Sequence, residues 1–97
     1  MDERHRIGGN DFVWDAGKAE ANRRKHGIRF DDAATVFMDP LFVLIDATRH
    51  GEARDAAIGF DHIGRLLLVV HVEGDGDYIR IVSARSAQPR EEASYAQ

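Results

Sequence analysis

The side chains suited to proton or phosphate chemistry fall in two segments far apart in the sequence. In the first, Lys25-His26-Gly27 closes a basic run in which Lys18, Arg23, Arg24, Lys25 and Arg29 stand against one acid, Glu20. Histidine titrates nearest neutrality, and in a helix's last turn it also feels the helix dipole, so His26 can serve as a general acid or base beside phosphate-holding cations. The plainer role for such a residue is to bond the last helical carbonyls. In the second segment, Arg80 and Arg85 flank Ile81-Val82-Ser83-Ala84. A planar guanidinium grips a phosphate through two parallel hydrogen bonds and stabilises charge building on phosphorus. Residues five apart have opposite parity on a strand, so the two arginines share a face only if the strand ends or bulges before Arg85. Otherwise they are surface arginines paired with carboxylates. Glu91 and Tyr95, four apart, face the same way if they lie on a helix.

Other combinations carry less. Glu73-Gly74-Asp75-Gly76-Asp77 lacks the ligand ladder and terminal Glu of a twelve-residue calcium loop and reads as a tight turn. His50, Glu52, His62 and His71 show none of the i, i+4 helical spacing of a zinc motif. Trp14 reads as a core anchor rather than a stacking platform for bases.

The composition sets the frame. Ninety-seven residues, 43% apolar and 31% charged, describe one domain with one hydrophobic core. The absence of cysteine removes disulfides, thiol nucleophiles and thiolate zinc sites. No apolar run approaches the roughly 18 residues of a membrane span, and the start lacks the apolar stretch of a signal peptide, so a cytoplasmic location is expected. Thirteen Lys and Arg against 17 Asp and Glu give a formal net charge of −4, which argues against a general nucleic-acid coat protein. The two basic segments can still converge into one positive site.

The elements that must position these residues are legible in outline. Residues 1–10 are polar, contain Gly8-Gly9-Asn10 and lack periodicity, so a loose leader is expected, with the domain spanning 11–97. Phe12-Val13-Trp14 reads as a strand. Asp15 is placed to cap a helix from Ala16 to His26 that Gly27 stops, with only Ala16, Ala19 and Asn22 for an inner face. Phe30, Ala33, Ala34, Phe37 and Met38 have the spacing of a core-facing stripe on a second helix, which Asp39-Pro40 ends. Then the period changes: Leu41 to Ile45, Ala56 to Phe60, Arg65 to Val72 and Tyr78 to Ala84 read as strands, with turn chemistry at Asp61 to Gly64 and Glu73 to Asp77. Pro89 opens a last helix. The expected architecture is α+β, with two N-terminal helices and a C-terminal helix packed on a mostly antiparallel sheet.

Taken together, Phe12-Val13-Trp14-Asp15, Lys18, Asn22, Lys25-His26-Gly27, Phe30, Ala33-Ala34, Val36-Phe37, Asp39-Pro40, Glu52, Arg54, Ile58-Gly59, Arg80-Ile81-Val82-Ser83-Ala84-Arg85, Ala87, Glu91 and Tyr95 resemble the BrnT family, ribonuclease toxins of bacterial type II toxin-antitoxin systems. The resemblance implies a fold similar to RelE and barnase-like ribonucleases, and RNA cleavage without a metal or other cofactor. It also implies a BrnA-type ribbon-helix-helix antitoxin, through which alone the complex would touch operator DNA, and it leaves room for a homodimer within that complex. Carried over residue by residue, it points to His26, Arg80 and Arg85 as catalytic positions with Glu91 and Tyr95 beside them, and to Lys25 and Arg54 as RNA-binding. Arg23 of the basic segment joins the phosphate-binding set. The chain departs from the family where Ala87 is usually followed by basic residues: here Gln88-Pro89-Arg90-Glu91-Glu92 brings two acids, which oppose phosphate binding.

Two other classes compete with the nuclease. A catalytically weak binding module would use the basic groove to dock an antitoxin segment and act in transcriptional autoregulation. A metal hydrolase would use His50, Glu52 and His71.

Overall fold

Asp15 ends a strand and starts a helix. Its carboxylate accepts the Lys18 N–H at 2.9 Å, as an N-cap should, and Gly27 closes the same helix in the left-handed conformation at φ 72°. The computed structural model describes residues 1–97, with Asp75 described by its backbone alone. In chain order the elements are β1 (Asp2–Ile7), β2 (Asn10–Asp15), α1 (Ala16–His26), α2 (Phe30–Ala34) running into a 3₁₀ turn at Thr35–Met38, β3 (Val43–Asp46), β4 (Asp55–Phe60), β5 (Leu66–Asp75), β6 (Tyr78–Ser86) and α3 (Pro89–Tyr95). The strands form one sheet in the order β1-β2-β6-β5-β4-β3. Every neighbouring pair is antiparallel except β2 with β6.

The sheet divides the apolar residues by parity. The row Ala57–Val69–Ala84 across β4, β5 and β6 faces Phe12, Trp14, Ile28, Phe30, Ala33, Ala34 and Val36 in the main core, under α2 and its 3₁₀ turn. The rows Ile58–Leu68–Arg85 and Ala56–Val70–Ser83 look out on the opposite face, where a smaller apolar cluster meets Tyr95 of α3. The α+β reading with a mostly antiparallel sheet and three helices therefore describes the molecule.

Two readings need correction. The first ten residues are no loose leader: Asp2–Ile7 is an edge strand joined to β2 by a two-residue turn at Gly8-Gly9, whose φ values of 58° and 83° call for glycine. Asp2, Arg4 and Arg6 alternate with Glu3, His5 and Ile7, so both faces are largely charged and no apolar period betrays the strand. Such charge is how an exposed edge resists pairing with other chains. The second helix is also shorter than its stripe. The tightening to 3₁₀ geometry after Ala34 turns Val36 into the core and leaves Met38 56% exposed.

On the β2 side β6 has a strand partner only at Ile79 and Arg80. Beyond that point the edge is closed by a side chain. Asn22 of α1, 7% exposed, accepts the Ala84 N–H at 3.0 Å and donates through Nδ2 to Ala84 O at 2.9 Å and Ile28 O at 3.0 Å. Asn22→Ala would leave a buried N–H and two carbonyls without partners, so it should lower unfolding free energy by about 3 kcal/mol. Urea denaturation checks this: the midpoint should fall with the slope unchanged, and an unmoved midpoint would show that the amide does not hold α1 in place.

Candidate functional site

The β6 strand keeps Arg80 and Arg85 on one face through an extra residue. Val70 pairs with Ser83 but His71 pairs with Ile81, which leaves Val82 as a bulge. Ile81 and Ala84 both enter the main core, so Arg80, Ser83 and Arg85 all lie on the other side of the sheet. Parity is reset between the two arginines.

Arg85 is fixed by the start of α3. Its Nη1 and Nη2 donate to the two carboxylate oxygens of Glu91 at 2.8 and 2.7 Å, and Nη1 also reaches Ser86 O at 3.2 Å. Glu91 accepts the Gln88 N–H at 2.8 Å and completes a capping box with the Gln88 side chain. The residue is 8% exposed, so one of the two acids expected to oppose phosphate binding is turned inward, while Glu92 faces solvent. Hydrogen bonding to Arg85 holds the Glu91 carboxyl below its ordinary range, and Glu91 in turn raises Arg85. Three of the five guanidinium N–H groups of Arg85 are thereby used.

Arg85 and Glu91 line a cleft of about 380 Å³ together with Arg49, Arg54, Thr48 and Ser83. Arg54 is held at 2.8 Å by the exposed Glu52. Three guanidinium groups thus stand against two carboxylates, the buried Glu91 and the exposed Glu52, which leaves a net positive charge at the cleft although the chain is acidic.

Lys25 and His26 lie in an adjoining cleft of about 240 Å³ with Lys18, Ala21, Asn22, Val82 and Ser83. Asn22 anchors α1 there. Lys25 and His26, three and four residues on, share its side of the helix and stay exposed. Ser83 bounds both clefts.

The remaining candidates lie elsewhere. Arg80 shares the face of Arg85, yet its guanidinium is clasped by Asp2 of β1 at 2.8 and 3.2 Å. Tyr95 faces the sheet like Glu91 but donates its hydroxyl to Asp39 at 2.7 Å and sets its ring edge-on to Phe60. That bond raises the Tyr95 phenol above its ordinary value, the wrong direction for an acid at neutral pH. Arg23 pairs with Glu20 at 2.6 Å and lines a third cleft with Trp14 and Arg29. His71 is fully buried with its ring edge-on to Phe37, and among the described residues no three His, Asp or Glu side chains gather as metal ligands. Arg49, Thr48 and Ser83 belong to the guanidinium cleft without having stood out in the sequence; only the position of Ser83 between the two arginines marked it.

The family model described as "Ribonuclease toxin, BrnT, of type II toxin-antitoxin system" matches residues 14–91. The chain belongs to the BrnT family. Among solved structures, the ribonuclease toxin BrnT of Brucella abortus is similar, at 24% sequence identity and a TM-score of 0.62, over 79% of this chain and 95% of that one. A search of curated proteins finds no match. Membership of a type II toxin-antitoxin family implies an antitoxin partner. Among the described residues no helix is long and apolar enough to cross a membrane. The matched segment starts at Trp14, so β1 lies outside it.

Because the folded pKa of Glu91 is depressed, the stability it contributes is present above the ordinary carboxylate value of about 4.3 and is lost as pH falls through the lower folded value. Glu91→Gln should be destabilised by about 2 kcal/mol at neutral pH, allowing for the partial exposure of Arg85. The deficit should shrink steadily below pH ~4. Thermal melts of parent and variant from pH 7 to pH 3 follow it, and a constant gap would mean that the ion pair is not its source.

Proposed function

We propose that this BrnT-family chain is a metal-independent endoribonuclease toxin, neutralised by a BrnA-type ribbon-helix-helix antitoxin. One observation carries the reading: the three-guanidinium cleft and the Lys25–His26 cleft adjoin through a common wall at Ser83. Cleavage of RNA without a metal needs a group to take the 2′-hydroxyl proton as its oxygen attacks phosphorus, a proton for the departing 5′-oxygen, and positive charge around the phosphoryl oxygens. His26 takes one of the two proton transfers, and solvent water takes the other, because Glu91 and Tyr95 are committed to Arg85 and Asp39. Arg54 and the remaining N–H groups of Arg85 hold the scissile phosphate, with Arg49 and Lys25 extending the positive track. Glu91 orients Arg85 rather than moving a proton, because its carboxylate is already committed to that guanidinium and to the α3 cap.

The Arg85–Glu91 pairing also favours a second reading, in which the half-neutralised cleft only docks an antitoxin segment. Expression without antitoxin separates the two: growth arrest that His26→Ala abolishes supports the enzyme, and harmless expression with tight antitoxin binding supports the module.

In vitro, His26→Ala should reduce RNA cleavage by about 10²- to 10⁴-fold with EDTA present. Arg54→Ala and Arg85→Ala should also slow it, the former without disturbing the α3 cap. If the parent cleaves and all three variants cut at its rate, the assignment of these residues is wrong.

A further inference from the structure

The geometry points to the Ser83 hydroxyl as a substrate-contacting group that holds the phosphate of an RNA strand crossing from the guanidinium cleft to the His26 cleft. The inference rests on the ribonuclease reading and adds a residue to it.

Ser83 is the residue common to the linings of the two clefts. A strand with one phosphate among Arg49, Arg54 and Arg85 must pass over Ser83 to bring the neighbouring nucleotide to His26. Among the described residues no hydrogen bond within the chain engages the Ser83 hydroxyl, which leaves its proton for a ligand. The side chain is half-buried and stands on fixed backbone: Ser83 pairs with Val70, follows the Val82 bulge and precedes Ala84, which Asn22 pins. Little freedom remains to be lost on binding. The chemistry also fits the place, because a serine hydroxyl is a neutral donor of the kind that registers a nucleic-acid backbone by bonding phosphate oxygens. Between cationic groups on either side, it adds position without adding charge.

The test compares the full chain with Ser83→Ala, which removes the hydroxyl, and Ser83→Thr, which keeps it. A single-stranded RNA is used for cleavage, and an all-deoxy oligonucleotide of the same sequence, which lacks the attacking 2′-hydroxyl, for binding by fluorescence anisotropy. A hydrogen bond to a charged phosphate oxygen corresponds to about a tenfold change in affinity. Ser83→Ala should therefore raise the Kd of the deoxy strand and the KM for RNA about tenfold, with kcat changed far less and the melting temperature kept. Ser83→Thr should stay within about threefold of the parent. The inference is overturned if Ser83→Ala binds and cleaves like a cleaving parent, or if its loss is confined to RNA, which would move the contact from the phosphate to the ribose hydroxyl. It is equally overturned if threonine fails to restore binding in a variant that melts like the parent. A parent that neither binds nor cleaves would instead sink the ribonuclease reading, and this inference with it.

Discussion

An amide side chain completes the sheet where strand pairing stops. Asn22 offers the Ala84 peptide one acceptor and one donor, as a neighbouring strand would, and spends its second donor on Ile28 just past the end of α1. That arrangement explains how so polar a helix stays attached. Its buried face consists of little more than this amide, so hydrophobic packing alone would not hold it. Because Asn22 lies one turn before His26, the same three hydrogen bonds that satisfy buried backbone groups also fix where the imidazole stands relative to β6.

Charge is handled locally throughout. The acidic balance of the chain says little about the guanidinium cleft, because the carboxylate within it is buried and bonded to Arg85 and to the α3 cap. Other acids are similarly committed. Asp39 suffers from burial, yet donors from Phe60, Leu41 and Tyr95 together hold its carboxyl below the ordinary value. Asp61 is bound through the Arg65 backbone and side chain. Each carboxylate so engaged serves the fold; Arg65 offsets the charge of Asp61 and Arg85 that of Glu91, while Asp39, bonded by neutral donors, stays ionised.

What the sequence disclosed follows from how local its signals are. The Asp15 cap, the Gly27 stop and the apolar runs of β4 and β5 depend on neighbours in the chain, and they were legible. The β1 strand was not, because its order comes from β2, from Asp2 on Arg80 and from Glu3 and His5 on Trp14 rather than from a period of its own. Within the candidate site, residue types near His26 and Arg85 could be read. The partition among clefts could not: Tyr95 and Glu91 share a helix face, yet one reaches Asp39 and the other Arg85, a difference only the sheet beneath them decides. Arg23 and Lys25 lie two apart on α1 and open onto different clefts for the same kind of reason.

The single extra residue at Val82 makes chain length part of the design of β6. Side chains from Arg80 to Arg85 can be exchanged one at a time without altering which way their neighbours point. Removing one residue here, or adding one, would reverse the phase of everything downstream: Arg85 would be driven toward the layer that holds Ala84, and the alanine would surface in its stead. In this stretch the number of residues is as constrained as the side chains that Ile81 and Ala84 bury in the core.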